Sequence, residues 1–181
     1  MRLTSHLIVF SLLFMIEAPI SAAQQSDETP DKTFAADIKH CHDGDTCHIV
    51  AENGIWFNAR LAGIDAPEVG RYGKKKSGGQ PLGDESRDAL SELIVGKKGI
   101  TIRQVDLDQY NRPVIEIFIG DSCANLKLLE LGMAERYHGK TKRIDKSKYD
   151  AAEDKAKSAK LGIWSIKNYE SPSAWRHGDK K

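Results

Sequence analysis

Two nearby segments, GITIRQVD at 99–106 and RPVIEIFIG at 112–120, alternate apolar and polar residues with a period of two. Successive side chains of an extended chain point to opposite faces, so this pattern predicts half-buried β-strands. In the second segment Ile115, Ile117 and Ile119 share one face. Upstream, TFAADIKHC and TCHIV flank Asp43-Gly44, and IWFNARLAGI follows Asn53-Gly54. Asp-Gly and Asn-Gly between such segments are strong hairpin signals. Hairpin-linked strands with one apolar face must bury it against each other or against helices.

Three helices are predicted. DESRDALSELIVG (84–96) begins with Asp84 as N-cap and stops at Gly96. CANLKLLELG (123–132) places Ala124, Leu128 and Leu131 at helical spacing and ends at Gly132. SKYDAAEDKAKSAKLG (147–162) opens with Ser147 and Asp150 in capping-box spacing and closes at Gly162. The order is three strands, a helix, two strands and two helices. It predicts a small, mostly antiparallel barrel flanked by helices.

The ends read differently. Arg2 and His6 precede the apolar run LIVFSLLFMI (7–16), and EAPISAA follows. That layout predicts a signal peptide over 1–23, with a retained anchor as the alternative; the run is short for a membrane span. QQSDETPDKT (24–33) reads as a disordered leader, and 167–181 as a loose basic tail with Trp175 as its one anchor. The 181 residues therefore hold one domain, 34–166. A net charge of +1 gives no general pull on nucleic acid or membrane, so any such partner must be recognised by locally placed charge.

Export permits a disulfide. Cys41 and Cys47 flank the Asp-Gly-Asp turn and could bridge; buried free thiols are the equal alternative, and Cys123 is left over. No cysteine spacing suits zinc. The loop VGRYGKKKSGGQPLG (69–83) holds five glycines and Lys74 to Lys76. It reads as a solvated basic loop or as the border of a phosphate site.

Asp45 opens one predicted strand and Asp65 closes another. Two carboxylates brought together would make a hard-oxygen site for Ca²⁺ or Mg²⁺, with Asp43 in support. Arg60 stands in an otherwise apolar strand, where a fixed guanidinium can grip a phosphate. Strict alternation puts Arg60 and Asp65 on opposite faces, so a bend near Gly63 is required. Glu68 follows Pro67, which stiffens the backbone, and could accept a proton from water. Each of these residues, taken alone, also has a plain surface or turn reading.

Together, DGDT, ARLAGIDAPE, DQYNRPV, NLKLLELGMA and AEDKAKSAKLGIW occur in an order and spacing that resembles the staphylococcal nuclease family over residues 35 to 165. The resemblance implies an α+β fold: a five-stranded OB-fold β-barrel with three flanking helices. It implies Ca²⁺ held by Asp45, Asp65 and the backbone carbonyl of Ala66, where the family often has Thr. It implies Arg60 and Arg112 on the scissile phosphate, Glu68 on the attacking water, and Tyr110 and Tyr137 as substrate contacts, with His138 an alternative to Tyr137. The expected activity is a secreted or periplasmic calcium-dependent endonuclease of DNA and RNA leaving 3′-phosphates, monomeric and free of the membrane once the signal is removed. The alternative is a catalytically inactive OB-fold nucleic-acid-binding module. Trp164 matches a family tryptophan and reads as packing.

Overall fold

The computed structural model describes residues 32–70 and 78–178. The signal segment, most of the leader and the three lysines at 74–76 lie outside the described residues. The strands are β1 (Lys32–Cys41), β2 (Thr46–Ala51), β3 (Trp56–Leu61), β4 (Ile64–Asp65), β5 (Ile100–Leu107), β6 (Pro113–Ile119), β7 (Ser122–Cys123) and β8 (Glu135–Arg136). The helices are α1 (Gly83–Ile94), α2 (Ala124–Glu130), α3 (Lys146–Ala159) and α4 (Pro172–His177), with a 3-10 turn at Gly162–Ser165.

Strand order β3-β2-β1-β5-β6 is antiparallel throughout, and a parallel pairing of β3 with β6 joins the two edges. Five strands thus close a mixed barrel, and closure removes the exposed sheet edges. Asn125, buried at the start of α2, secures the closing seam. Its Nδ2 donates to the Ala62 and Ile115 carbonyls, both at 3.0 Å, and its Oδ1 accepts from Ile117 N at 3.1 Å. The core combines Ile38, Ile49, Ile102, Ile115 and Ile117 of the barrel with Leu90 and Ile94 of α1, Leu128 and Leu129 of α2, and Tyr149 of α3. Each fully buried Ile or Leu contributes about 2 kcal/mol of transfer free energy.

β6 departs from simple alternation. Glu116, between two core isoleucines, is also buried, under α3. Arg103 pairs with its carboxylate, and Tyr149 Oη donates to it at 2.7 Å. The outer face of the strand is thus covered by a satisfied polar network.

Three helix boundaries differ from expectation. Helix α1 is entered through Leu82 in the left-handed region (φ 67°) with no side-chain cap, and Asp84 lies in the first turn. The cap of α3 is Asp145, which accepts from Lys148 N, while Ser147 donates its hydroxyl to Asp145. The segment expected as a loose basic tail carries α4, capped by Ser171, whose Oγ accepts from Ala174 N at 3.1 Å. Among the described residues no helix is long and apolar enough to cross a membrane.

Candidate functional site

The hairpin between β1 and β2 holds the first carboxylate. Asp43 Oδ1 accepts from Asp45 N at 3.0 Å, the local turn that short Asp side chains favour. Gly44 serves a different need from the one its Asp-Gly pair suggests. A Cβ there would stand 1.9 Å from Ser86 Oγ and 2.7 Å from Ala66 Cβ, so the glycine lets the turn lie against α1. Asp45 is buried. Its Oδ1 accepts from Thr46 Oγ1 at 3.0 Å, and its Oδ2 from Ala66 N at 3.2 Å.

The required bend after β3 is present. Gly63 has φ 72°, and a Cβ at this position would stand 2.6 Å from the Tyr149 ring. Only glycine meets both conditions. The chain therefore turns between Arg60 and Asp65, and Arg60 Nη2 reaches Asp65 Oδ1 at 2.8 Å and Asp45 Oδ2 at 3.1 Å. One guanidinium edge thus bridges the two aspartates.

Glu68 is fixed by its backbone. Gln80 Oε1 accepts from Glu68 N at 2.9 Å, Glu68 O accepts from Gln80 N at 2.8 Å, and Gln80 Nε2 donates to Glu170 O. Buried Gln80 staples the start of the 69–83 loop to its end and to the C-terminal segment. Arg112 is placed by the turn before β6. Asp108 Oδ1 accepts from the backbone of Tyr110 and Arg112, and Oδ2 from Arg112 Nε at 2.7 Å. Burial acts against ionisation of Asp108, but these donors hold its carboxyl below the usual range.

Asp43, Asp45, Ala66, Glu68, Arg60 and Arg112 line one cavity of about 330 Å³. Arg60 and Arg112 also line an adjoining cavity of about 690 Å³ with Tyr110, Tyr137 and Lys140. Tyr110 is exposed and lies beside the Arg112 guanidinium, 5.7 Å from ring centre to Cζ. Tyr137 lies beside Arg60 at 5.6 Å. Tyr137, rather than His138, lines this cavity.

Sequence reasoning missed Arg176, which lines both cavities. From α4 its Nη1 and Nη2 meet Asp65 Oδ1 and Oδ2 at 3.0 and 2.7 Å, and Nη1 meets Glu68 Oε1 at 2.8 Å. The signal was Ser171-Pro172, an N-cap followed by proline at the first helical position, hidden within a run read as tail. Burial pushes the Asp45 carboxyl up, to about 8, and Asp43 and Asp65 add to the effect while Arg60 opposes it. Four carboxylates face two guanidiniums, Arg60 and Arg176, with Arg112 engaged by Asp108. The carboxylate oxygens, those of Asp45 and Asp65 buried, are hard donors of the kind that suit a divalent cation such as Ca²⁺.

The family sequence pattern described as Staphylococcal nuclease homologue matches residues 58–166, more than half of the chain. The chain belongs to the staphylococcal nuclease homologue family. A protein of Komagataella phaffii named "Probable endonuclease LCL3" is 34% identical over 127 residues, 66% of this chain and 54% of that protein. A protein of the same name from Saccharomyces cerevisiae is 34% identical over 129 residues, 65% of this chain and 44% of that protein. A rice protein named "Probable staphylococcal-like nuclease CAN4" is 35% identical over 126 residues, 69% of this chain and 23% of that protein. The chain thus spans about half or less of the length of these relatives. In this staphylococcal nuclease homologue, DGDT and ARLAGIDAPE lie on the two turns that meet at Asp45 and Asp65, and DQYNRPV supplies the turn that presents Arg112.

Proposed function

We propose that this staphylococcal nuclease homologue is a calcium-dependent endonuclease, exported to the periplasm or medium, that hydrolyses phosphodiester bonds of DNA and RNA and leaves 3′-phosphates. It acts as a monomer, free of the membrane after signal removal. The observation that carries the reading is the meeting of Asp45, Glu68, Arg60 and Arg112 around one cavity, with Asp65 held beside it through Arg60, and a second cavity next to it flanked by Tyr110 and Tyr137.

Asp45 and Asp65 would hold Ca²⁺ with the Ala66 carbonyl, and the ion would supply positive charge beside the phosphate. Arg60 and Arg112 bind the non-bridging phosphate oxygens, where charge builds as the pentacovalent state forms. Glu68 accepts a proton from the attacking water. The 5′ oxygen leaves, and the phosphate stays on the 3′ side. Tyr110 and Tyr137 offer ring faces to bases, a contact that tolerates any sequence. Catalysis of this kind rests on positioning and charge rather than on a covalent intermediate.

Arg176 favours a second reading, a binding module without catalysis, because it already satisfies both Asp65 and Glu68. Digestion of single-stranded DNA in Ca²⁺ and in EGTA separates the two. The nuclease reading predicts cleavage only with Ca²⁺, with products that need phosphatase treatment before their 3′ ends can be extended. Salt-sensitive binding with no cleavage in either condition would establish the binding module.

A further inference from the structure

His40, His42 and His48 converge on the outer face of the β1–β2 hairpin. His40 lies in β1, and His42 follows just past its end, two residues on, on the same side of the chain. The register pairs His40 directly with His48, and His48 with Asn58 of β3. One ring nitrogen of each histidine lies within 4.8 Å of the others, with His40 and His42 exposed and His48 half-buried. The His40 and His48 rings stack at 5.1 Å, and His42 meets His40 edge-on at 4.8 Å.

Two further features hold the group in place. Cys41 and Cys47, the adjacent pair in the same register, form a disulfide, so the strands cannot slide or separate at this point. Asn58 Oδ1 lies 3.1 Å from His48 Nδ1 and 3.3 Å from His42 Nε2. A carbonyl oxygen only accepts, so each neutral ring spends one N–H on Asn58 and keeps a lone pair on its other nitrogen. Metal-bound imidazoles are commonly oriented through their second nitrogen in this way.

The structure assigns to His40, His42 and His48 a binding site for a borderline divalent transition-metal ion, with Zn²⁺ the natural probe. Three imidazoles suit zinc, copper or nickel, whereas Ca²⁺ and Mg²⁺ take oxygen ligands, so this site is chemically distinct from the Asp45–Asp65 cavity. Bonds of about 2.0–2.1 Å are reached by side-chain rotation, chiefly of the exposed His40 and His42 rings, on a backbone already in position. Three protein ligands leave a coordination position for water or for a donor from another molecule. From sequence, zinc is set aside because no CxxC pair or Cys/His pairing has suitable spacing, a ground that leaves a histidine-only set unweighed. The signal is His-x-His beside a hairpin with a third histidine at the facing position.

The test is calorimetric titration of ZnCl₂ into the metal-stripped chain, purified without a polyhistidine tag, with Ca²⁺ in excess. The expected result is one Zn²⁺ per chain with a Kd of about 1 µM or tighter. His40→Ala and His48→Ala should each weaken it at least about tenfold, and Asp45→Asn should leave it unchanged. Zn²⁺ should also raise the Tm of the wild type more than that of either histidine variant. Absence of Zn²⁺ binding, or binding that both histidine variants retain, would overturn the assignment.

Discussion

Arg176 and Asp65 are joined by two parallel hydrogen bonds, Nη1 to Oδ1 at 3.0 Å and Nη2 to Oδ2 at 2.7 Å, although 111 residues separate them in sequence. A fork of this kind is among the stronger polar contacts a protein makes. It occupies a carboxylate assigned to calcium and, through Glu68, the assigned base. Arg176→Ala should therefore tighten Ca²⁺ binding by on the order of tenfold, read by calorimetry. Weaker binding in the variant would show instead that Arg176 holds Asp65 in its ligating position.

Asp108 positions Arg112 by accepting two hydrogen bonds from it and a third from the Tyr110 backbone in the same turn. Asp108→Asn should lower cleavage about tenfold with the fold intact, because Arg112 loses a charged partner. The sign of the pH effect follows from the lowered carboxyl. A depressed folded-state pKa stabilises the fold above the ordinary value of 3.8 and ceases to do so as pH falls through the folded value. The stability difference between wild type and variant, measured by denaturant titration, should shrink as pH drops below that ordinary value.

Asn125 satisfies three backbone groups at the seam where β3 meets β6. Asn125→Ala removes all three bonds in a buried setting and should cost about 3 kcal/mol in urea unfolding. A cost near zero would mean that the seam holds without it.

The Cys41–Cys47 disulfide closes a short loop, with a sequence separation of 6. Replacing both cysteines with Ala should cost about 2 kcal/mol, the modest value expected for so short a loop. Cys123 should resist alkylation in the native state, since burial pushes its thiol up to about 11.

Much of the barrel was legible because its signals are local. Ile115, Ile117 and Ile119 declare their strand by alternation, and Gly54 and Gly96 mark turns where φ is positive. The need for a bend at Gly63 also followed from alternation, since Arg60 and Asp65 could not otherwise share a site. What escaped depends on long-range packing. Gly44 is small because Ser86 lies against it, and nothing near position 44 announces a helix 42 residues later. Arg176 looked like one charge in a basic tail until α4 placed it against Asp65. Glu116 broke the alternation of β6 because α3 covers the strand and Arg103 and Tyr149 satisfy the carboxylate. The family resemblance, carried by five ordered segments, supplied the pairing of Asp45 with Asp65 that spacing alone could not. The pairing of Cys41 with Cys47 was one of two equal alternatives until the register set them opposite each other.

The most direct test of the central claim is single-turnover cleavage of single-stranded DNA by Glu68→Gln beside wild type, in saturating Ca²⁺. The account predicts a loss of at least about a hundredfold in rate with Ca²⁺ affinity little changed, because Glu68 acts on the water rather than on the ion. A variant that cleaves at the wild-type rate would remove Glu68 from the chemistry and contradict the assigned site.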